Sequence, residues 1–117
     1  MGTLKVKNLI VRSNVGFDPH VSDYRQDLVV NLSINYNSFV EEESDNPADA
    51  FQVNKLIKEI MGRADNSHFN LLEAFTRMLL NTILEFPRVE SVEIEAKTEQ
   101  SVRFPGEMSF VLSGSNR

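Results

Sequence analysis

From Leu28 to Tyr36 the chain alternates with a period of two. Leu28, Val30, Leu32, Ile34 and Tyr36 fall on one face, and Val29, Asn31, Ser33 and Asn35 on the other. Successive side chains of a strand point to opposite faces, so this run buries one face and keeps the other half-polar. A strand of a parallel sheet, covered on both sides, reads as a near-continuous apolar run. A half-polar strand belongs to an antiparallel sheet with helices packed on one face.

Three further stretches alternate in the same way. Leu4, Val6, Asn8 and Ile10 point away from Lys5 and Lys7, up to a break near Asn14-Val15-Gly16. Val92, Ile94 and Ala96 oppose Glu93, Glu95 and Lys97. Met108, Phe110 and Leu112 oppose Ser109, Val111 and Ser113, after a turn or bulge at Arg103-Phe104-Pro105-Gly106. Between the two strand pairs the spacing becomes helical: Val53, Leu56, Ile57, Ile60 and Met61 make one stripe. A second helix, from near Asn70, turns Leu71, Leu72, Phe75, Met78, Leu79, Ile83 and Phe86 inward and stops at Pro87. The acidic run from Asn37 to Asp49 reads as a surface connection. The expected fold is α+β in the order β-β-α-α-β-β: a four-stranded antiparallel sheet with two helices on one face, one domain over residues 1–117. Such a sheet leaves two open edges, which pairing with further copies in a closed ring would cover.

Composition narrows the chemistry. With 17 acidic residues against 12 Lys and Arg in 117, the formal charge of −5 argues against a nucleic-acid surface, which needs a basic patch. No apolar stretch approaches the ~20 residues that span a bilayer, and the start lacks the apolar centre of a signal peptide. A cytoplasmic location is expected. The chain contains no cysteine, which removes thiolate metal sites, disulfides and cysteine nucleophiles. His20 and His68 stand 48 positions apart, without the close spacing of a zinc site, so no metal or other cofactor is expected. No Gly-x-Ser-x-Gly elbow and no Gly-rich phosphate loop is present.

At Asn70-Leu71-Leu72-Glu73 two readings stand side by side. An Asn followed three positions later by Glu has capping-box spacing, with Glu73 reaching back to the Asn70 N–H. The same carboxylate at a helix start, beside two leucines, can instead accept two parallel N–H bonds from a ligand.

Several blocks resemble the dihydroneopterin aldolase family: Lys5-Val6-Lys7-Asn8-Leu9, Val15-Gly16-Phe17, Arg25 through Leu32, and Phe69-Asn70-Leu71-Leu72-Glu73, which matches that family's Phe-x-Leu-Leu-Glu. The Arg25-Gln26-Asp27 block, with Val102-Arg103-Phe104 and Ser109 through Ser113, is most similar to its bacterial sister group, dihydroneopterin triphosphate 2′-epimerase. The resemblance implies a tunnelling fold, in which subunits join their sheets into a tetrameric barrel and two rings stack into an octamer. It implies active sites between neighbouring subunits, and cleavage or epimerisation of the side chain of a 7,8-dihydropterin whose own ring serves as electron sink. Under it Glu73 grips the pterin's 2-amino and ring N–H groups, with Leu72 and Phe51 completing the binding set. Lys97 is the candidate general acid/base; the plain alternative is a solvated lysine at a strand end.

Two positions depart from the family pattern. Val21 stands where an acidic residue is expected, with Asp18 and His20 nearby, and Ala50 stands where a tyrosine is expected. Phe51 keeps a stacking surface without the hydroxyl, and Tyr24 is the nearest loop phenol. Losing a positioned proton-transfer group costs ~10²–10⁴-fold in rate. On the family blocks and Glu73 the expected function is a pterin aldolase or epimerase. A catalytically degenerate pterin- or purine-binding protein is its rival, and a module recruiting partners through a sheet edge is a third option.

Overall fold

The computed structural model describes residues 1–16, 26–98 and 108–116. In chain order they form β1 (Gly2–Val15), β2 (Gln26–Tyr36), α1 (Phe39–Ser44), a short 3₁₀ turn (Pro47–Asp49), α2 (Val53–Asp65), β3 (His68–Phe69), α3 (Leu72–Leu84), β4 (Val89–Lys97) and β5 (Ser109–Ser115). The sheet has five strands in the order β3-β1-β2-β4-β5. Each neighbouring pair among β1, β2, β4 and β5 is antiparallel, as the alternation predicts.

The four-stranded, wholly antiparallel expectation is corrected by β3, which runs parallel to β1 through Asn14–His68 and Val15–Phe69. Two residues are too short to carry any period, so this strand leaves no signature in the sequence. It forms because the chain leaving α2 passes the end of β1, where the Gly16 N–H donates to the Phe69 carbonyl at 2.8 Å. Gly16 sits at φ 138°, a backbone region that side chains disfavour. The acidic connection is also more ordered than expected. Its α1 closes on Asp45 at φ 49°, and Asn46 caps the 3₁₀ turn by accepting from the Ala48 N–H at 3.0 Å.

Both longer helices lie on one face of the sheet, α2 against β1 and α3 against β4 and β5. Leu28, Val30, Leu32 and Ile34 of β2 are buried in the middle of that layer, with Val92, Ile94 and Ala96 of β4 beside them. From the helices come Leu56, Ile60 and Ala64 of α2, and Phe75, Leu79, Leu80 and Ile83 of α3. Each such side chain contributes ~1.5–3 kcal/mol when taken out of water. Met61, expected inward, is 43% exposed, because the buried line of α2 follows the i, i+4, i+8 row of Leu56, Ile60 and Ala64. No helix among the described residues is long and apolar enough to cross a membrane.

In β1 the alternation changes phase. The pairing steps from Val6–Leu32 to Leu9–Val30, so one extra residue is inserted on β1. Asn8 takes it up at φ 59° and its N–H donates to Asn31 Oδ1 at 2.7 Å. Beyond the bulge Leu9, Val11, Ser13 and Val15 turn to the helices, and Ile10, expected with Leu4 and Val6, is 49% exposed on the other face.

Candidate functional site

At one end of the sheet, where β1 meets β3, the chain turns into α3. Leu71 is extended (φ −121°, ψ 140°) and is the residue that caps the helix, with no side-chain cap bond. The first helical hydrogen bond is Phe75 N–H to the Leu71 carbonyl at 3.2 Å. The capping-box reading is therefore corrected: the helix begins after Leu71, Asn70 lies outside it, and Glu73 is its second residue. Glu73 is exposed, and its carboxylate makes no hydrogen bond to another described residue. The first N–H groups of α3 lack helical partners, giving this terminus a partial positive charge that favours a carboxylate. Leu72 is half-buried against the core, where Phe69 meets Phe75 edge-on at 6.3 Å. Asn14, in β1 at this end, has a buried Oδ1 without a hydrogen-bond partner, an acceptor that burial normally pairs.

Lys97 closes β4 at the same end, paired with Val29 of β2 and Ser109 of β5. It shares a face with Glu93 and Glu95, the face opposite the helices, since Val92, Ile94 and Ala96 are buried beneath α3. Two residues before it, Glu95 is pinned from both sides: Asn31 Nδ2 donates to Oε1 at 2.9 Å and Ser109 Oγ to Oε2 at 3.1 Å. These bonds, first Asn31 and then Ser109, hold the Glu95 carboxyl below its ordinary range, with the Lys97 charge adding to them. Glu73 and Lys97 thus flank one end of the sheet from its two faces.

Phe51 lies at the opposite end. Its ring stacks on Tyr36 with centroids 4.5 Å apart and planes 19° from parallel. The Arg88 guanidinium stands 5.5 Å from the Tyr36 centroid and 5.8 Å from that of Phe51. Arg88 Nη2 donates to both Glu41 oxygens, at 2.8 and 2.9 Å, and to the Asn37 carbonyl at 2.9 Å. That hydrogen bonding lowers the Glu41 carboxyl from its ordinary value. Ala50, next to Phe51, presents an exposed methyl group and nothing that exchanges a proton. Tyr36 is seven residues along β2 from Val29, the partner of Lys97, which at about 3.3 Å per residue is roughly 23 Å. Within one chain Phe51 and Lys97 do not share a pocket.

Val21, with Asp18, His20 and Tyr24, lies outside the described residues. The sequence reading passed over the Asn31–Glu95–Ser109 chain and the Arg88–Glu41 pair. Both join strands or segments far apart in sequence, and only a register would have brought them together.

The order of elements, the paired layers and the long β1–β2 hairpin define a fold shared with solved dihydroneopterin aldolases. The structure of FolB from Vibrio cholerae superposes with a TM-score of 0.90, covering 99% of this chain and 98% of the other at 17% identity. Escherichia coli dihydroneopterin aldolase in complex with neopterin gives 0.89, covering 98% and 100% at 16% identity. At those identities the likeness speaks for the fold alone.

Sequence carries the assignment further. The family model described as FolB: Dihydroneopterin aldolase matches residues 4–111, and the chain belongs to that family. The dihydroneopterin triphosphate 2′-epimerase of Escherichia coli strain K12 is 29% identical over 110 residues, covering 94% of this chain and 92% of that protein.

Proposed function

We propose that this chain acts on the side chain of 7,8-dihydroneopterin or its triphosphate, by retro-aldol or epimerase chemistry within pterin metabolism. The observation that carries the reading is Glu73: an exposed carboxylate at an uncapped helix start, unpaired among the described residues, in a chain whose family match spans nearly its whole length. Glu73 accepts the 2-amino and ring N–H groups in parallel bonds, and Leu72 supports the ring's edge. With the ring held, the electron pair of the breaking side-chain bond passes into it, so the protein's tasks are positioning and proton transfer. Lys97 is the proton carrier.

Phe51, roughly 23 Å along the sheet, enters the site from a neighbouring copy, as a flat surface for the heterocycle. The assembly is a homo-oligomer, a tetrameric barrel or an octamer of two such rings, in the cytoplasm. Support comes from the outer edges of β1 and β5: β1 is paired with β3 only at Asn14 and Val15, and unpaired strand edges invite further strands.

Incubating the purified protein with 7,8-dihydroneopterin and with its triphosphate, and following glycolaldehyde and the 2′-epimer, tests this directly. One of the two products is expected. Tight pterin binding with neither product would favour the second reading, a pterin- or purine-binding protein without turnover. That reading draws on Val21 and Ala50, neither of which can exchange a proton. Absence of both binding and turnover would overturn the first.

A further inference from the structure

Arg88 sits in the turn between α3 and β4, just after Pro87 and just before the buried Val89. Val89 is firmly fixed. Its N–H donates to the Phe86 carbonyl at 3.0 Å, its carbonyl accepts from Asn116 Nδ2 at 2.8 Å, and it pairs with Tyr36 of β2. Arg88 therefore springs from a rigid root. The connection between β2 and α2, by contrast, has little of its own to hold it. Neither α1 nor the 3₁₀ turn buries a residue, and Phe51 is only half-buried against the core. A segment without buried side chains is placed by its hydrogen bonds.

Arg88 supplies them at both ends of the connection. Nη2 donates to the Asn37 carbonyl at its start and to the Glu41 carboxylate within α1. Nη1 donates to the Asp49 carbonyl at 3.3 Å, two residues before Phe51. The guanidinium carbon is also almost equidistant from the stacked rings of Tyr36 and Phe51, at 5.5 and 5.8 Å, so it braces them as a pair. Both distances lie within the ~6 Å over which a cation is attracted to an aromatic ring. We propose that Arg88 is the positioning residue for Phe51, tying the connection to the start of β4 so that the ring meets the heterocycle of a neighbouring copy already oriented. The inference rests on the reading of Phe51 as a flat surface for that heterocycle. A surface ordered beforehand spends no binding energy on its own ordering, so the gain appears as affinity.

The molecule contains a comparison for this role. Arg63 makes a bond set of similar size, to Glu59, Thr82 and both oxygens of Glu85. Those bonds join α2 to the end of α3, and no ring contact accompanies them among the described residues. Arg63 is a clasp between helices, whereas Arg88 holds the segment that carries an aromatic surface.

The test separates holding the ring from holding the fold, with neopterin as the probe. Arg88→Ala should weaken neopterin binding roughly 2- to 10-fold, the size of one lost aromatic contact. In turnover the same loss should fall on KM and spare kcat, since a ring surface binds ground state and transition state alike. Added to Phe51→Ala, Arg88→Ala should cost no further affinity, because the ring it orients is gone. Arg63→Ala should lower the thermal midpoint and leave neopterin affinity unchanged. The chain has no tryptophan, so Phe51→Trp places a single indole at this position. Arg88→Ala in that background should raise acrylamide quenching of the indole. Arg88→Lys, a point charge without the fork, should fall between. Should Arg88→Ala fail to fold, Glu41→Gln, which loosens the guanidinium, should give smaller changes in the same directions. A folded Arg88→Ala with affinity and quenching unmoved overturns the inference. So does an equal further loss in the Phe51→Ala background, or an equal loss of affinity from Arg63→Ala. If Phe51→Ala itself leaves neopterin binding intact, the ring-surface reading fails and the inference falls with it. If Phe51→Ala weakens binding while Arg88→Ala does not, only the role of Arg88 fails.

Discussion

The Glu73 carboxylate has no partner among the described residues of its own chain, and it stands beside backbone N–H groups that no side chain caps. This separates its structural and ligand-binding roles in a way the spacing Asn70–Glu73 cannot. If Glu73 were closing a capping box, Glu73→Ala would cost ~1 kcal/mol of stability. With the helix beginning after Leu71, only the exposed interaction with the helix dipole is lost, in the low part of the ~0.3–1 kcal/mol range. Glu73→Ala should therefore leave the thermal midpoint nearly unchanged and remove pterin binding, measured side by side by calorimetry and fluorescence titration. A large stability loss with binding intact would restore the cap. Acid sensitivity also belongs at this scale. Arg88 lowers Glu41, and Arg63, bonded to Glu85 at 2.6 and 2.8 Å, lowers Glu85, each from an ordinary value of 4.5. A carboxyl whose folded value lies below its unfolded one stabilises the protein fully above the unfolded value. That contribution disappears as pH falls through the folded value. Between pH 5 and pH 3 the melting temperature of Glu41→Gln/Glu85→Gln should accordingly fall less than that of the parent.

Among the elements, β1 shows how far a sequence pattern reaches. Its alternation was legible, as were the faces of β2 and β4 and the extent of α2, because period two and period 3.6 are imposed by local backbone geometry. α3 is shorter than its pattern, Leu72–Leu84, and leaves Leu71, expected inward, 50% exposed. What the pattern could not show was the change of phase, since a bulge is one residue long and leaves both flanking halves alternating. Ile10 was misplaced for that reason. β3, α1 and the link between Arg88 and Glu41 were hidden for a related one: they depend on partners distant in the chain. The family blocks singled out Glu73 and Lys97 as candidates, whereas the bonds that hold Glu95 needed the strand register. The bulge itself can be tested. Asn8 occupies the left-handed region and uses its backbone N–H, so Asn8→Gly should be close to neutral. Asn8→Val should cost ~1–2 kcal/mol in chemical denaturation.

At the scale of the molecule, the long axis of 52 Å and the strand edges on either side suit a chain built to be assembled. Native mass spectrometry should give four or eight times the 13.3 kDa subunit, and a monomer at micromolar concentration would contradict the proposed shared site. Because Glu73 and Phe51 stand at opposite ends of each subunit, each proposed pocket draws on the front of one chain and the back of the next. Two inactive proteins, Glu73→Ala and Phe51→Ala, should then rescue one another when unfolded together and reassembled. In an equal random mixture about one junction in four receives an intact glutamate and an intact phenylalanine, so roughly a quarter of the parental activity should return. A site confined to one chain predicts no recovery. The distance between two residues in a single subunit thus becomes a question about inheritance between neighbours, answerable in a test tube without seeing the assembly at all.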